Sequence, residues 1–170
     1  MENEEIIFRF PFSVFHLKMS SFFNNYLFFF LAILTGIAMA TQATVNSKLA
    51  VYVESPVAAA FISFAVGTVA LFVLMLLTGV PLSSLVSSKN APPITWIGGF
   101  LGAFFVIVMA TVVPRIGVAL AFSLAIGGQM LIALMIDHLG WLDVPEKPMN
   151  LWRVLGAGLI ILGVILIRKF

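Results

Sequence analysis

Five apolar runs, each close to the length that an α-helix needs to cross a bilayer, dominate this sequence. Such a helix needs about 20 predominantly apolar residues. Charged and turn-forming residues separate the runs, which we place at residues 26–47, 56–79, 95–113, 117–136 and 152–167. Hydrophobic residues make up 62% of the chain and charged residues only 9%, whereas ordinary globular domains have about 45–50% and about 25%. The sequence therefore predicts an integral membrane protein.

The runs predict an all-α bundle of five transmembrane helices within residues 26–170. They are continuously apolar, whereas strands of a membrane β-barrel alternate with period two. Connections of roughly five to fifteen residues leave no room for a soluble domain. The stretch LSSLVSSKNAPP after the second run is predicted to be a loop because of its Ser, Asn and Pro content. Tryptophan favours the ends of membrane spans, and Trp96, Trp141 and Trp152 lie near the predicted ends.

Residues 1–25 are predicted to be an N-terminal extension that is either disordered or not translated. The sequence begins MENEE, with three acidic residues where a secretory signal would be basic, and no small-residue cleavage site follows. Met19 stands directly before the first apolar run. Residues 1–18 are therefore interpreted either as an optional extension or as a wrongly chosen start, so the true start is Met1 or Met19.

The loop charges do not select an orientation in the membrane. Five spans place the two ends of the chain on opposite sides of the membrane. The basic residues on the N-terminal side are Arg9, Lys18, Lys89, Lys147 and Arg153. Those on the C-terminal side are Lys48, Arg115, Arg168 and Lys169. Cytoplasmic loops normally carry an excess of Lys and Arg, and these groups show almost none. One interpretation is that a single loop determines the orientation, or that the boundary of a predicted span is misplaced. The other is that copies of the chain insert in both orientations and pair antiparallel around a shared site.

Small residues mark faces on which helices can approach closely in lipid. Gly98 and Gly102 have GxxxG spacing, and the last run carries Gly156, Gly158 and Gly163. These glycines are predicted either to pack helices within one subunit or to join two subunits. The last helix is our first candidate for a dimer contact.

Polar residues follow one face of the first predicted helix. At about 100° per residue, Thr35, Gln42 and Asn46 fall within roughly 40° of one another, and Gln129 lies in the middle of the fourth run. Polar residues within spans usually face the bundle interior or a water-filled cavity. We predict that these four residues either join helices, for roughly 0.6–2 kcal/mol each, or bind a polar or amphipathic small molecule.

No Asp, Glu, Lys, Arg or His lies centrally in any predicted span. The embedded proton carrier or counter-ion that many transporters use is therefore missing. The nearest acids are Glu54, before the second span, and Asp137, which is followed by His138 at the end of the fourth. These residues are interpreted either as solvated helix ends or as interfacial groups that gate access.

Catalytic, metal and nucleic-acid sites are not supported by the residues present. The chain has no cysteine and two histidines, and its acids lack metal-ligand or acid/base spacing. The serines have no base beside them in the sequence. The formal net charge is only +2, and no block of basic residues suggests a nucleic-acid surface. We therefore predict no enzyme, no cofactor, no metal and no nucleic-acid partner.

The order of the sequence motifs resembles a known family. GIAMATQATVNSKLAVYVESPVAAAFISFAVGTVAL is followed by GGFLGAFFVIVMATVVPRIGVAL, AFSLAIGGQMLIALMIDHLGWL and GAGLIILGVILI. Over roughly residues 27–167 they resemble the small bacterial YdcZ-type inner-membrane exporters of the drug/metabolite transporter superfamily. Two arrangements of residues are the most specific to this resemblance. The first is Gln42, Asn46 and Leu49, which lead into Ser55 and Pro56. The second is Gly128, Gln129, Asp137, His138 and Gly140.

The resemblance implies export of small metabolites or drugs across the inner membrane. It also implies single, paired or fused genes whose halves insert with opposite orientations. Small multidrug exporters of the same superfamily carry an acidic residue inside the first helix that binds protons and cationic drugs, and this sequence has Gln42 and Asn46 there. Proton-coupled export of cations is therefore not carried over, because amides better suit a neutral or zwitterionic substrate.

We therefore expect a multi-pass transporter of the inner (plasma) membrane that works by alternating access. It is expected to act as an antiparallel homodimer or with an oppositely oriented homologous chain. Its substrate is expected to meet Gln42, Asn46, Gln129 and Thr35. The alternative is a non-transporting scaffold or regulatory subunit whose polar stripe binds a partner helix.

Overall fold

The computed structural model describes residues 21–170, with side chains from residue 26 onward. Met19 and most of the predicted extension lie outside the described residues. The described chain contains helices and no strand. The α-helices are α1 (Ser21–Tyr52), α2 (Pro56–Thr78), α3 (Ser83–Ser87), α4 (Ile97–Ile116), α5 (Val118–Leu139) and α6 (Leu151–Lys169).

Five segments have the length and composition to cross a membrane, which confirms the predicted fold class. They are Tyr26–Tyr52, Pro56–Thr78, Pro93–Ile116, Val118–Leu139 and Leu151–Lys169. Because the chain crosses the bundle five times, the turns at residues 53–55 and 117 lie at one face with the end of α6. We name this the Glu54 face, and the opposite face carries the connections at residues 79–96 and 140–150.

Helix α1 continues to Tyr52, five residues beyond the predicted end of the first span at residue 47. The polar residues there do not stop the helix because its own backbone satisfies their hydroxyl groups. Thr41, Thr44 and Ser47 each donate to the carbonyl oxygen four residues earlier, over 2.9, 3.0 and 2.8 Å. Lys48 is exposed, so its long side chain can extend toward the interface.

The connection between α2 and α4 differs from the predicted loop. It contains the five-residue helix α3 and short 3₁₀ turns at Ser88–Asn90 and Pro93–Trp96. The Ser87 hydroxyl donates to the Ser83 carbonyl oxygen, and the Ser88 hydroxyl to that of Leu85. The serines that predicted irregular structure therefore bond single helical turns, as they also do at helix ends.

Local sequence signals explain where α2 begins and ends. The Ser55 hydroxyl accepts a hydrogen bond from the Ala58 amide, and Pro56 occupies the first helical position, where its missing N–H costs nothing. Gly79 ends the helix with φ 71°, a conformation that glycine adopts without strain. Gly117 separates α4 from α5 with φ 82°, so those two helices are joined by a single residue.

Helices α1, α2 and α4 all pack against one another and form the centre of the bundle. Helix α5 packs against α4 and α6 and touches α1, while α6 contacts α5 alone among the described helices. The contacts within the three-helix unit depend on small side chains. Ala59 is fully buried and clusters with Ala50 and Ala110, because small residues let backbones approach closely in lipid.

The three tryptophans lie at helix ends, as predicted, and all lie at the face opposite Glu54. Trp96 directly precedes α4, Trp141 follows α5, and Trp152 is the second residue of α6. All three are at least half exposed, which suits an amphipathic ring at a membrane interface.

Candidate functional site

Asn46 is the most unusual polar residue of the bundle interior. Its side chain is only 3% exposed, and its amide nitrogen Nδ2 is buried with no hydrogen-bond partner among the described residues. Leaving a buried donor unpaired costs about 1–3 kcal/mol. A bundle that retains such a group carries a destabilising feature at its centre.

The position of Asn46 on α1 explains its burial. Ala43, three residues earlier, packs with Met109 and Val113 of α4 and Ala121 of α5. Ala50, four residues later, packs with Ala59 of α2 and Ala110 of α4. Residues at these spacings share a helix face, so Asn46 lies between the two clusters, on the face of α1 that the other helices cover.

The predicted stripe is divided by this packing. Asn46 lies inside, whereas Gln42 and Thr35 are exposed on the surface of the chain. The Thr35 hydroxyl donates to the Leu31 carbonyl oxygen at 3.0 Å, so it is satisfied by its own helix. Gln42 precedes Asn46 by four residues, and the resulting rotation of roughly 40° turns it away from the helix contact.

Gln129 is also exposed, on α5. Neither Gln42 nor Gln129 lines either of the two cavities described below, so the structure does not gather the predicted amides into those cavities. Both amides lie within membrane spans, where lipid offers them no hydrogen bond. A partner for them has to come from outside this chain, or from a different conformation of it.

A cavity of about 340 Å³ opens at the Glu54 face, where α1, α2 and α4 end or begin. We call it the mouth cavity. Glu54 and Arg115 contribute opposite charges to its lining, and Ser47 and Thr111 contribute hydroxyl groups. The other lining residues are apolar: Ala50, Val51, Pro56, Ala110 and Pro114. It therefore presents both charged and apolar surface to a ligand.

The two charges of the mouth cavity are not neutralised by each other. Within the described residues, the only ion pair joins Asp137 to Arg153. Among residues 26–170, the Arg115 guanidinium donates only to the Thr111 carbonyl oxygen, at 3.4 Å, and the Glu54 carboxylate accepts no hydrogen bond. Glu54 also has φ 53°, a left-handed conformation that is uncommon outside glycine.

Of the residues that line this cavity, only Glu54 was predicted from the sequence as a candidate site residue, whereas Arg115, Thr111 and Ser47 were missed. The signal was present but weak. Arg115 was assigned to the side of the membrane opposite the N-terminus and directly follows Pro114, while Glu54 lies two residues before Pro56, between the first two spans. The sequence did not show that α1, α2 and α4 pack together, so it could not show that these side chains share one cavity.

Asp137 and His138 hold the connection between α5 and α6. The Asp137 carboxylate pairs with the Arg153 guanidinium at 3.2 Å, which also donates to the Lys147 carbonyl oxygen at 2.9 Å. His138 Nδ1 accepts a hydrogen bond from the Met149 amide at 3.2 Å. These contacts anchor the loop, and the gating role remains a prediction.

A second cavity, of about 350 Å³, lies between α5 and α6. Asp137 and Arg153 stand at one end of it, and the rest of its lining is apolar or glycine. Because these two charges pair with each other, this cavity offers a ligand no unpaired charge.

The glycines predicted to pack helices are mostly uncrowded. A Cβ atom added to Gly102 would lie 3.5 Å from the Phe64 ring of α2, so Gly102 takes part in packing within the chain. Gly98, Gly156, Gly158 and Gly163 have no atom within 4 Å of such a Cβ. Their surfaces are open, and the dimer contact remains a prediction.

Among residues 26–170, no group of three or more His, Asp or Glu side chains is placed to hold a metal ion. The chain has no cysteine that could add a thiolate. The polar groups of the bundle are therefore amides, hydroxyl groups and single charges, which bind ligands through hydrogen bonds and charge.

Comparison with known protein families gives a match over most of the chain. The family described as "Putative inner membrane exporter, YdcZ" matches residues 27–166, which include all five spans except their outermost ends. No curated protein and no solved structure matches the chain. Because the match extends over most of the sequence, the chain belongs to the YdcZ family of inner-membrane exporters and is a multi-pass transporter of the inner membrane.

Proposed function

We propose that this protein exports a small polar molecule by alternating access, with Asn46 in the substrate path. The unpaired Nδ2 of Asn46 carries this proposal. An unpaired donor buried among α1, α2 and α4 is unfavourable in the described conformation. It gains a partner in a conformation where these helices separate and admit water or substrate. The described state is then one in which the path is closed at Asn46.

The packing around Asn46 suits such a movement. The two buried clusters on either side of Asn46 consist mainly of alanines, and Met109 and Val113 are their larger members. Flat contacts between small side chains interlock less than contacts between large ones, so helices that meet through them can shift with little repacking. Polar groups within spans commonly line substrate paths, and Asn46 is the polar group at this contact whose donor has no partner.

We further propose that a second chain completes the transporter, either an antiparallel copy or an oppositely oriented homologue. The exposed amides of Gln42 and Gln129 support this, because lipid cannot satisfy them. Helix α6 has no buried residue, and no atom lies within 4 Å of a Cβ added to its Gly158 or Gly163, which allows close approach of another helix. The near balance of basic residues between the two faces supports an antiparallel arrangement.

The substrate class follows from the groups present. No charged side chain lies centrally in a span, so the path has no embedded counter-ion for a lone cation or anion. An asparagine amide both donates and accepts hydrogen bonds. A neutral or zwitterionic molecule therefore fits the path better than an ion with a net charge.

The decisive experiment compares the wild-type protein with Asn46→Leu. Two cultures express the wild-type protein or Asn46→Leu at equal levels in the membrane. The metabolites in the growth medium of the two cultures are then compared by an untargeted method. We expect at least one compound to be enriched by the wild-type protein and to fall by about tenfold or more with Asn46→Leu, since one lost polar contact commonly has this effect. The control Thr68→Val removes a hydroxyl on α2 that only bonds its own helix, and should export normally.

Two results would overturn the proposal. Unchanged export by Asn46→Leu would remove Asn46 from the path. The absence of any enriched compound, together with copurification of a different membrane protein, would favour the scaffold or regulatory subunit instead.

The arrangement of chains is tested separately by mapping the C-terminus. Reporters that are active on only one side of the membrane are fused after Phe170, with translation begun at Met1 or at Met19. Signals from both sides support an antiparallel homodimer. A signal from one side alone contradicts the homodimer and leaves the oppositely oriented homologue to be sought by copurification.

A further inference from the structure

We propose that the mouth cavity binds a small zwitterion, with its carboxylate at Arg115 and its ammonium at Glu54. This inference rests on the proposed function, since it names the class of molecule that the exporter carries. The cavity contains one cationic and one anionic side chain, and they form no ion pair with each other. Both charges therefore remain open to a ligand that carries the two complementary groups.

The exposure of Glu54 and Arg115 explains why these charges can remain unpaired. Arg115 lies in the last turn of α4, where the negative end of the helix dipole favours a cation. Glu54 lies between the end of α1 at Tyr52 and the start of α2 at Pro56, where two helix dipoles of opposite sense meet and largely offset each other. Both side chains are exposed, so water can hydrate each charge and neither needs the other as a partner.

The remaining lining limits what the ligand can be. Two prolines, two alanines and Val51 provide apolar surface between the charges, and Ser47 and Thr111 add hydroxyl groups. The volume of about 340 Å³ is near the lower end of the range of roughly 300–1,000 Å³ for ligand pockets. These features fit a zwitterion of amino-acid size with a neutral side chain, and not a large drug.

The position of the cavity connects it with Asn46. Its floor includes Ala50 and Ala110, the residues that pack with the buried Ala59. Ala50 lies one helical turn beyond Asn46 on the same face of α1. Separation of the contact between Ala50 and Ala110 would therefore open a route from the mouth cavity toward Asn46.

The test measures binding rather than transport. The purified full-length protein in lipid nanodiscs is mixed with a panel of neutral amino acids, and bound compounds are detected by saturation-transfer NMR. For a compound that binds, the N-acetyl derivative lacks the ammonium and the methyl ester lacks the carboxylate. We expect each derivative to bind about tenfold or more weakly than the zwitterion, because each loses one charge contact.

The two charged residues should be separable by these derivatives. Glu54→Gln removes the partner of the ammonium, so this variant should bind the zwitterion and the N-acetyl derivative with similar affinity. Arg115→Gln removes the partner of the carboxylate, so it should bind the zwitterion and the methyl ester with similar affinity. Glu54→Asp keeps the charge and should keep the preference for the zwitterion. Glu146→Gln and Arg168→Gln change exposed charges outside the cavity, and should bind all three forms like the wild type.

Three outcomes would overturn the proposal. The first is that no member of the panel binds, and the second is that both variants lower the affinity for all three forms equally. The third is a stabilising coupling between Glu54 and Arg115 in a double-mutant cycle without ligand, which would show that they pair with each other. If binding fails in these ways while Asn46→Leu still abolishes export, the mouth cavity is excluded and the proposed function stands. The reverse pattern would remove Asn46 from the path and keep the binding site.

Discussion

In the unit formed by α1, α2 and α4, one buried amide and two opposite charges have no side-chain partner among residues 26–170, whereas in the hairpin of α5 and α6 two opposite charges pair with each other. The Asn46 amide is buried and unpaired, and Glu54 and Arg115 share a cavity without an ion pair. In the hairpin, Asp137 pairs with Arg153 and closes the loop. Paired groups stabilise a single conformation, while unpaired groups remain open to a ligand or to a second conformation.

The two regions also differ in packing. The buried share of the most apolar window is 6% in each of α1 and α2 and 22% in the span that contains α4, compared with 11% in α5 and none in α6. The three-helix unit is held by contacts between its own helices, while α6 rests only on α5. The unit is therefore where internal movement would act on a substrate, and α6 is the surface that faces lipid or another chain.

The largest effect on stability is expected from enlarging the side chain at the centre of the unit. Ala59 is fully buried, so Ala59→Leu should lower the free energy of unfolding by about 1–3 kcal/mol or more through overpacking. The control Ala119→Leu changes an exposed residue of α5 and should have little effect. Thermal stability of the purified proteins in detergent measures both, and equal losses would contradict the difference in packing.

Asn46→Leu should stabilise the described conformation while it abolishes export. Removing an unpaired buried donor recovers part of a penalty of about 1–3 kcal/mol, and leucine has the same number and branching of side-chain heavy atoms as asparagine. The same thermal measurement should show a higher unfolding temperature than for the wild type, with Thr68→Val nearly unchanged. A marked loss of stability would mean that the Asn46 amide has a partner after all.

The two helix N-caps allow a direct comparison of the regions. Ser55 accepts from the Ala58 amide of α2 at 3.2 Å, and Asn150 from the Arg153 amide of α6 at 2.9 Å. Replacement of either by alanine should cost about 0.5–2 kcal/mol. The loss should be larger for Ser55→Ala, because that bond is partly buried and water replaces it less well. A larger loss for Asn150→Ala would reverse the comparison.

The smallest effect is expected from the ion pair of the hairpin. The side chains of Arg153 and Asp137 are 27% and 32% exposed, so solvent screens them, and a double-mutant cycle with Arg153→Gln and Asp137→Asn should give a coupling of about 0.2–1 kcal/mol. Export should continue in both single variants. A loss of export without a loss of stability would instead support the predicted gating role of Asp137.

Much of the fold follows from local sequence. The five spans were predicted because lipid requires backbone groups to be satisfied within a helix and because apolar runs are read directly from the chain. Pro56, Gly79 and Gly117 mark helix ends through their own backbone preferences. The extension of α1 beyond residue 47 was missed, because its hydroxyl groups bond their own helix.

Within the candidate site, the sequence by itself determined only that Gln42 and Asn46 lie on nearly the same face of one helix. The tertiary structure decided that Asn46 is buried and Gln42 is exposed, since the rotation of α1 against α2 and α4 depends on packing between helices. It also brought Glu54 and Arg115 to one cavity. Helix formation is governed by neighbours along the chain, whereas a site between helices depends on contacts between residues far apart in sequence.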